Sequence, residues 1–212
     1  MNSKPIFLIF TDSVALPRKY DNGKILWQET YIAKIKAQYT NYEIINISIG
    51  GASIKDLRNQ INYYMVLEPE IVLLQCGIVD AAPRAFGRLE LEIITKMRLL
   101  RFTKPFVSFL RKYRAHHYAS PKEFEQKLIE FKNGLNPKRL IALSILPSCQ
   151  EYEVQLPGIT KYGAIYNAIL KKHADSFVVL DEIPREGILS DYHHVNAIGQ
   201  QFIFEQLQKV VG

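Results

Sequence analysis

Pro5-Ile6-Phe7-Leu8-Ile9-Phe10-Thr11-Asp12-Ser13 sets the architecture of this chain. The run from Pro5 to Phe10 is continuously apolar, which suits a short strand covered on both faces rather than one with a wet side. Polarity returns abruptly at Thr11, so Asp12 and Ser13 are predicted to stand just past the strand's carboxyl end. The pattern then recurs along the chain. Residues 42–47 read as a second strand running into Ser48-Ile49-Gly50-Gly51, and 70–75 as a third that stops at Cys76-Gly77. Residues 139–145 and 177–180 read as the fourth and fifth. Stretches 25–39, 53–65, 121–134, 160–173 and 196–210 alternate with these strands and read as helices, with Ser53 and the Ser120-Pro121 pair as N-terminal caps. Residues 147–158 read as a loop.

Strands alternating with helices imply a parallel sheet covered on both faces through right-handed crossovers. In such sheets ligands bind beyond the carboxyl ends of the strands, where the strand order reverses. Ser13, Gly50-Gly51, Gly77 to Asp80, and Asp191 with His194 all fall at such ends. Four separate segments are thus predicted to meet at one edge.

With 212 residues and 48% hydrophobic content, the chain can bury a full core, and one domain over 1–212 is expected. The early apolar run is too short for a signal-peptide core or a membrane span, which gives the expectation of a cytoplasmic protein. Cys76 and Cys149 are expected to be free thiols. No Cys/His spacing suggests zinc, and neither a metal nor a cofactor is expected.

The chemistry is concentrated in two strings far apart. One is Asp12-Ser13; the other is Asp191-Tyr192-His193-His194-Val195-Asn196-Ala197-Ile198-Gly199. A hydroxyl, an imidazole and a carboxylate to orient it are the minimum set for covalent acyl transfer, provided the fold makes them neighbours.

In the order and spacing of these blocks the chain resembles the SGNH, or GDSL-type, esterase and acyltransferase superfamily over nearly its full length. That family's Gly-Asp-Ser block after the first strand reads here as Thr11-Asp12-Ser13. Its glycine after the second strand, five residues beyond an asparagine, corresponds to Gly51 after Asn46. Its Gly-x-Asn-Asp block reads Gly77-Ile78-Val79-Asp80. Its Asp-x-x-His block, with a glycine five residues later, matches Asp191, His194 and Gly199, whereas His193 breaks the register.

The resemblance implies an α/β, flavodoxin-like three-layer sandwich with a five-stranded, mostly parallel sheet. It also implies a nucleophilic Ser13, a base in His194, a carboxylate in Asp191 that holds the imidazole, and an oxyanion hole from the Ser13 and Gly51 backbone N–H groups. An α/β-hydrolase fits less well, because no Gly-x-Ser-x-Gly elbow is present and the serine follows the first strand. Two departures stand out. Thr11 replaces a glycine, and Val79 replaces the asparagine whose side chain donates to the oxyanion, a donor whose loss typically costs about 10²–10³ in rate. Arg84 is the candidate to compensate, with Arg18 second; Asp12 and Asp80 complete the expected supporting residues.

The net charge of +6 comes from one segment. Between about 84 and 117 stand nine Lys/Arg against Glu90 and Glu92. Apolar residues recur there at helical spacing (Phe86, Leu89, Ile93, Met97), and Thr103-Lys104-Pro105 interrupts the pattern. The segment reads as a basic helical insertion, either packed over the sheet with its charges in water or serving as a lid that meets an anionic partner. Such a partner would be an acidic polysaccharide, a lipid-linked phosphate sugar or a membrane surface. No nucleic-acid reader motif is present, and no nucleic-acid partner is expected.

The functional expectation is a serine-dependent esterase or O-acyltransferase on a small-molecule or carbohydrate ester, acetyl groups on a carbohydrate being the first choice. The alternatives are a catalytically weakened carbohydrate- or anion-binding protein, and a lysophospholipase or thioesterase.

Overall fold

A computed structural model describes residues 4–21, 23–103, 106–114 and 116–211 of the chain. β1 (Ile6–Thr11) carries the opening apolar run, and its residues from Phe7 to Phe10 are wholly buried. A short 3₁₀ turn (Ser13–Ala15) follows, then a small antiparallel hairpin of β2 (Arg18–Tyr20) and β3 (Gly23–Ile25). α1 (Tyr31–Gln38) begins where the Thr30 hydroxyl accepts from the Ala33 N–H. After it come β4 (Glu43–Ser48), α2 (Ile54–Gln60), β5 (Ile71–Gln75) and the single turn α3 (Ile78–Ala81). The basic segment forms α4 (Arg88–Lys96), α5 (Leu100–Thr103) and α6 (Val107–Arg114); Lys104 and Pro105, read above as its interruption, lie outside the described residues. The chain closes with α7 (Pro121–Leu135), β6 (Arg139–Leu143), α8 (Gln150–Gln155), α9 (Ile159–His173), β7 (Ser176–Val178) and α10 (Ala197–Val211).

Five strands form the main sheet in the order β4-β1-β5-β6-β7, and every neighbouring pair is parallel. In the register, Leu8 stands between Ile45 and Val72. The first crossover leads from β1 to β4 on one side, and the next jumps back over β1 to β5. The carboxyl ends of β1 and β5 therefore flank the switch point where such sheets bind ligands.

Alternate strand residues face opposite sides. Leu8, Phe10, Val72 and Leu74 pack against α2, α7 and α9, while Phe7, Ile9, Leu73 and Leu143 pack against α1 and α10. α7 illustrates how local signals feed this core. The Ser120 hydroxyl accepts from the Glu123 N–H, Pro121 opens the helix, and Phe124, Leu128, Phe131 and Leu135 line one buried stripe.

Three expectations are corrected. The predicted helix over 25–39 starts only at Tyr31, because β3 and a 3₁₀ turn (Trp27–Glu29) occupy its first part. The predicted loop over 147–158 contains α8. The basic segment is helical, yet its apolar residues are not packed away: Leu89, Ile93 and Met97 are 76%, 57% and 61% exposed.

Candidate active site

Ser13 is placed by the residue before it. The Asp12 N–H donates to the Gln75 carbonyl at 3.1 Å, and its Oδ1 accepts from the Val14 N–H at 2.9 Å, which caps the turn that begins at Ser13. Burial pushes the Asp12 carboxyl up to about 7, against the pull of the Val14 N–H and the Arg18 charge. Arg18, on β2, donates from Nη2 to the Ser13 carbonyl at 2.6 Å and so ties the hairpin to the turn.

From the other end of the chain comes the loop before α10. It is braced by the Leu189 N–H donating to the His194 carbonyl at 2.8 Å, and it turns through Tyr192 at φ +64°. Asp191 Oδ1 accepts the N–H groups of His193 at 3.2 Å and His194 at 3.0 Å. Its other oxygen, Oδ2, lies 2.6 Å from His194 Nδ1, and His194 Nε2 lies 2.8 Å from Ser13 Oγ. The three side chains form one hydrogen-bonded chain between residues 181 positions apart.

Charge is arranged to suit that chain. Burial alone would raise the Asp191 carboxyl, but the His194 hydrogen bond, the neighbouring histidines and the His193 N–H hold it well below the usual carboxylate range. Burial lowers the His194 imidazole, as do the His193 and Arg18 charges, against the Asp191 hydrogen bond; the result lies below the ordinary 6.5. With an ionised Asp191 accepting from Nδ1, the neutral ring presents Nε2 as acceptor to the Ser13 hydroxyl. This is the arrangement in which an imidazole takes a serine proton.

Gly51 follows β4 at φ +70°, a conformation that favours glycine. Asp80 is fully buried and its Oδ2 accepts the Ile54 N–H at 2.9 Å, holding the start of α2. Among the described residues neither the Ser13 N–H nor the Gly51 N–H has an acceptor. Both residues open onto a cleft of about 660 Å³, shared with Arg18, Val79, Arg84 and His194. Asp12 and Asp80 are buried behind its wall rather than lining it. Of the eight residues that sequence reasoning assigned to the site, six share this cleft: Ser13, Asp191, His194, Gly51, Arg18 and Arg84.

Sequence reasoning missed others, among them His193, Tyr152 and Arg111. His193 lines the cleft, with its ring stacked on Tyr152 at 5.9 Å and 15°; Tyr152 itself comes from α8, and Arg111 from α6. A signal for α8 was present: Glu151 and Glu153 sit in its first turn, after Pro147 and before Pro157-Gly158. The hairpin that carries Arg18 has its own signal in Asn22-Gly23.

Asp191, His193 and His194 also place one ligand atom each within 4.8 Å of one another. An ion there would draw on the same Asp191 and imidazole atoms that already bond to one another and to Ser13, so it would compete with the chain just described.

No protein-family model matches the sequence, and no curated protein matches it significantly. Solved structures do resemble it. A lipase/acylhydrolase from Enterococcus faecalis superposes with a TM-score of 0.66 at 12% identity, over 98% of this chain and 95% of that one. A lipolytic protein of the G-D-S-L family from Veillonella parvula gives 0.61 at 13% identity, over 96% of each chain. An acetyl xylan esterase gives 0.60 at 18% identity, over 98% of this chain and all of that one. At such identities a likeness speaks to architecture, and the parallel β4-β1-β5-β6-β7 sheet with helices on both faces is the fold of the GDSL-type, or SGNH, lipases and acylhydrolases.

Proposed function

We propose that this protein is a serine-dependent esterase or O-acyltransferase, with acetyl groups on a carbohydrate as the first substrate class. The observation that carries the reading is the chain Ser13 Oγ–His194 Nε2–His194 Nδ1–Asp191 Oδ2, at 2.8 and 2.6 Å, at the edge of an open cleft. In this reading Ser13 Oγ attacks the ester carbonyl carbon while His194 Nε2 takes its proton. The carbonyl oxygen becomes an oxyanion held by the Ser13 and Gly51 N–H groups, which are without acceptors among the described residues. Collapse expels the alcohol, which takes the proton from His194, and leaves an acyl-Ser13. Water or a sugar hydroxyl then attacks the acyl-enzyme, deprotonated by the same imidazole, and serine is released. Asp191 stabilises the imidazolium in both halves.

The fold shared with an acetyl xylan esterase and a lipase/acylhydrolase supports the ester class. A fluorophosphonate probe tests it: labelling confined to Ser13, and abolished by Ser13→Ala and by His194→Ala, is expected. Absence of labelling, together with intact short acyl esters after prolonged incubation, would instead favour a binding protein. A long-acyl reading has one observation in its favour. A second cleft of about 630 Å³ adjoins Gly51 and is lined by Leu91, Thr95 and Tyr118, with the Glu92–Lys96 pair beside them. A series of esters from acetyl to palmitoyl separates the two, the acetyl reading requiring kcat/KM to fall as the chain lengthens.

A further inference from the structure

Arg84 and Arg111 reach the cleft from different places, the turn after α3 and the helix α6. Both are held. Arg84 exchanges backbone hydrogen bonds with His116, donating at 2.8 Å and accepting at 3.2 Å, and its guanidinium lies 4.6 Å from the centre of the Tyr118 ring. Arg111 donates from Nη1 to the Gln155 carbonyl at 3.4 Å, beside Tyr152. The Nε atom of each is shielded from solvent and has no hydrogen-bond partner among the described residues.

Among the described residues neither guanidinium forms an ion pair. The two acidic residues of the segment are engaged elsewhere, Glu90 with Arg114 at 2.7 Å and Glu92 with Lys96 at 2.8 Å. Among the residues lining the cleft Asp191 is the one carboxylate, and both its oxygens serve His193 and His194. Two guanidinium groups facing a common cavity, whose one lining carboxylate is bonded to His193 and His194, repel each other and lose solvation. Planar, forked donors in that position match the oxygens of a carboxylate or phosphate.

We propose that Arg84 and Arg111 form a clamp for an anionic group, carboxylate or phosphate, carried by the substrate whose ester bond meets Ser13. The proposal rests on the ester reading above and names its substrate class. It also assigns Arg84 a role different from oxyanion support. An oxyanion donor must reach the reacting oxygen and acts on kcat. A clamp grips a remote group in ground state and transition state alike and acts on KM.

Matched esters test it. On the alcohol side, phenyl acetate is compared with 4-acetoxybenzoate and 4-acetoxyphenyl phosphate, which separates carboxylate from phosphate. On the acyl side, 4-nitrophenyl butyrate is compared with mono-4-nitrophenyl succinate. The expected result is a preference of about tenfold or more in kcat/KM for at least one anionic ester, weakening as salt rises. Arg84→Gln and Arg111→Gln should each raise KM for that ester more than they lower kcat, Arg84→Lys should recover part of the loss, and Arg114→Gln should keep the preference. Equal kcat/KM for neutral and anionic esters overturns the clamp, as does a preference that survives both substitutions. A loss confined to kcat also overturns it. Binding of phenyl phosphate and benzoate to the Ser13→Ala protein, followed by calorimetry, is independent of turnover. If no ester is consumed, binding that disappears in Arg84→Gln/Arg111→Gln still sustains the clamp while the ester reading fails, and absence of binding sinks the clamp itself.

Discussion

The α/β body and the 84–117 segment use the same helical spacing for opposite ends. In α7, Phe124, Leu128, Phe131 and Leu135 are each at most 1% exposed, clamped between the sheet and neighbouring helices. In α4 and at its C-cap, Leu89, Ile93 and Met97 recur at helical spacing and stand mostly in solvent. Periodicity reports that a helix has an apolar face; it does not report what covers that face. The two regions also meet at one cleft. The body supplies Arg18 and the imidazole and carboxylate of the proton chain, while the segment supplies Arg84 and Arg111 to the same cleft.

The largest effect expected lies in the body's chemistry. Ser13→Ala should lower ester turnover by about 10⁴-fold or more and leave the thermal unfolding midpoint nearly unchanged; a variant that retains activity would remove Ser13 from the reaction. Next comes the packing contrast itself. Phe124→Ala should cost about 3–5 kcal/mol in urea unfolding, and Leu89→Ala less than about 0.5 kcal/mol. Similar costs for the two would mean that α4 is covered in solution and would erase the contrast.

A smaller gain is expected at the switch point. Val79 lines the cleft where the resembled family has a donor, so Val79→Asn should raise kcat by up to about 10²-fold. An unchanged kcat would show that the position is out of reach of the oxyanion. The smallest effect concerns pH. The His194 imidazole lies below 6.5, so the rising limb of kcat/KM should have its midpoint below that value, activity being lost as His194 gains a proton. His193 lowers that midpoint by its charge, so His193→Gln should move the limb upward. A shift downward would mean that the His193 charge does not lower the His194 imidazole.

Much of the body was legible because its signals are local. The run before Thr11 became β1 within a residue, and 70–75 became β5 in the same way, since continuous apolar character suits a strand covered on both faces. Ser53 and Ser120 cap α2 and α7 as predicted, because a cap bonds only three residues ahead. The hairpin at 18–25 was overlooked although Asn22-Gly23 announces it, and with it the tie from Arg18 to the Ser13 carbonyl. Arg111 had no signal of its own. Among nine basic residues in one segment, spacing gives the side of a helix and not the cavity it faces.

The amino-acid order alone determined the alternation of strands and helices, several helix starts, and the placing of chemically able residues at strand ends. Those properties follow from interactions over a handful of neighbours, which any short window of the chain contains. Only the tertiary structure decided that Ser13 Oγ meets His194 Nε2 at 2.8 Å and that Arg84 and Arg111 share their cleft. Contacts across 181 positions depend on strand order, crossover direction and packing of the whole sheet, and no local propensity encodes their distance.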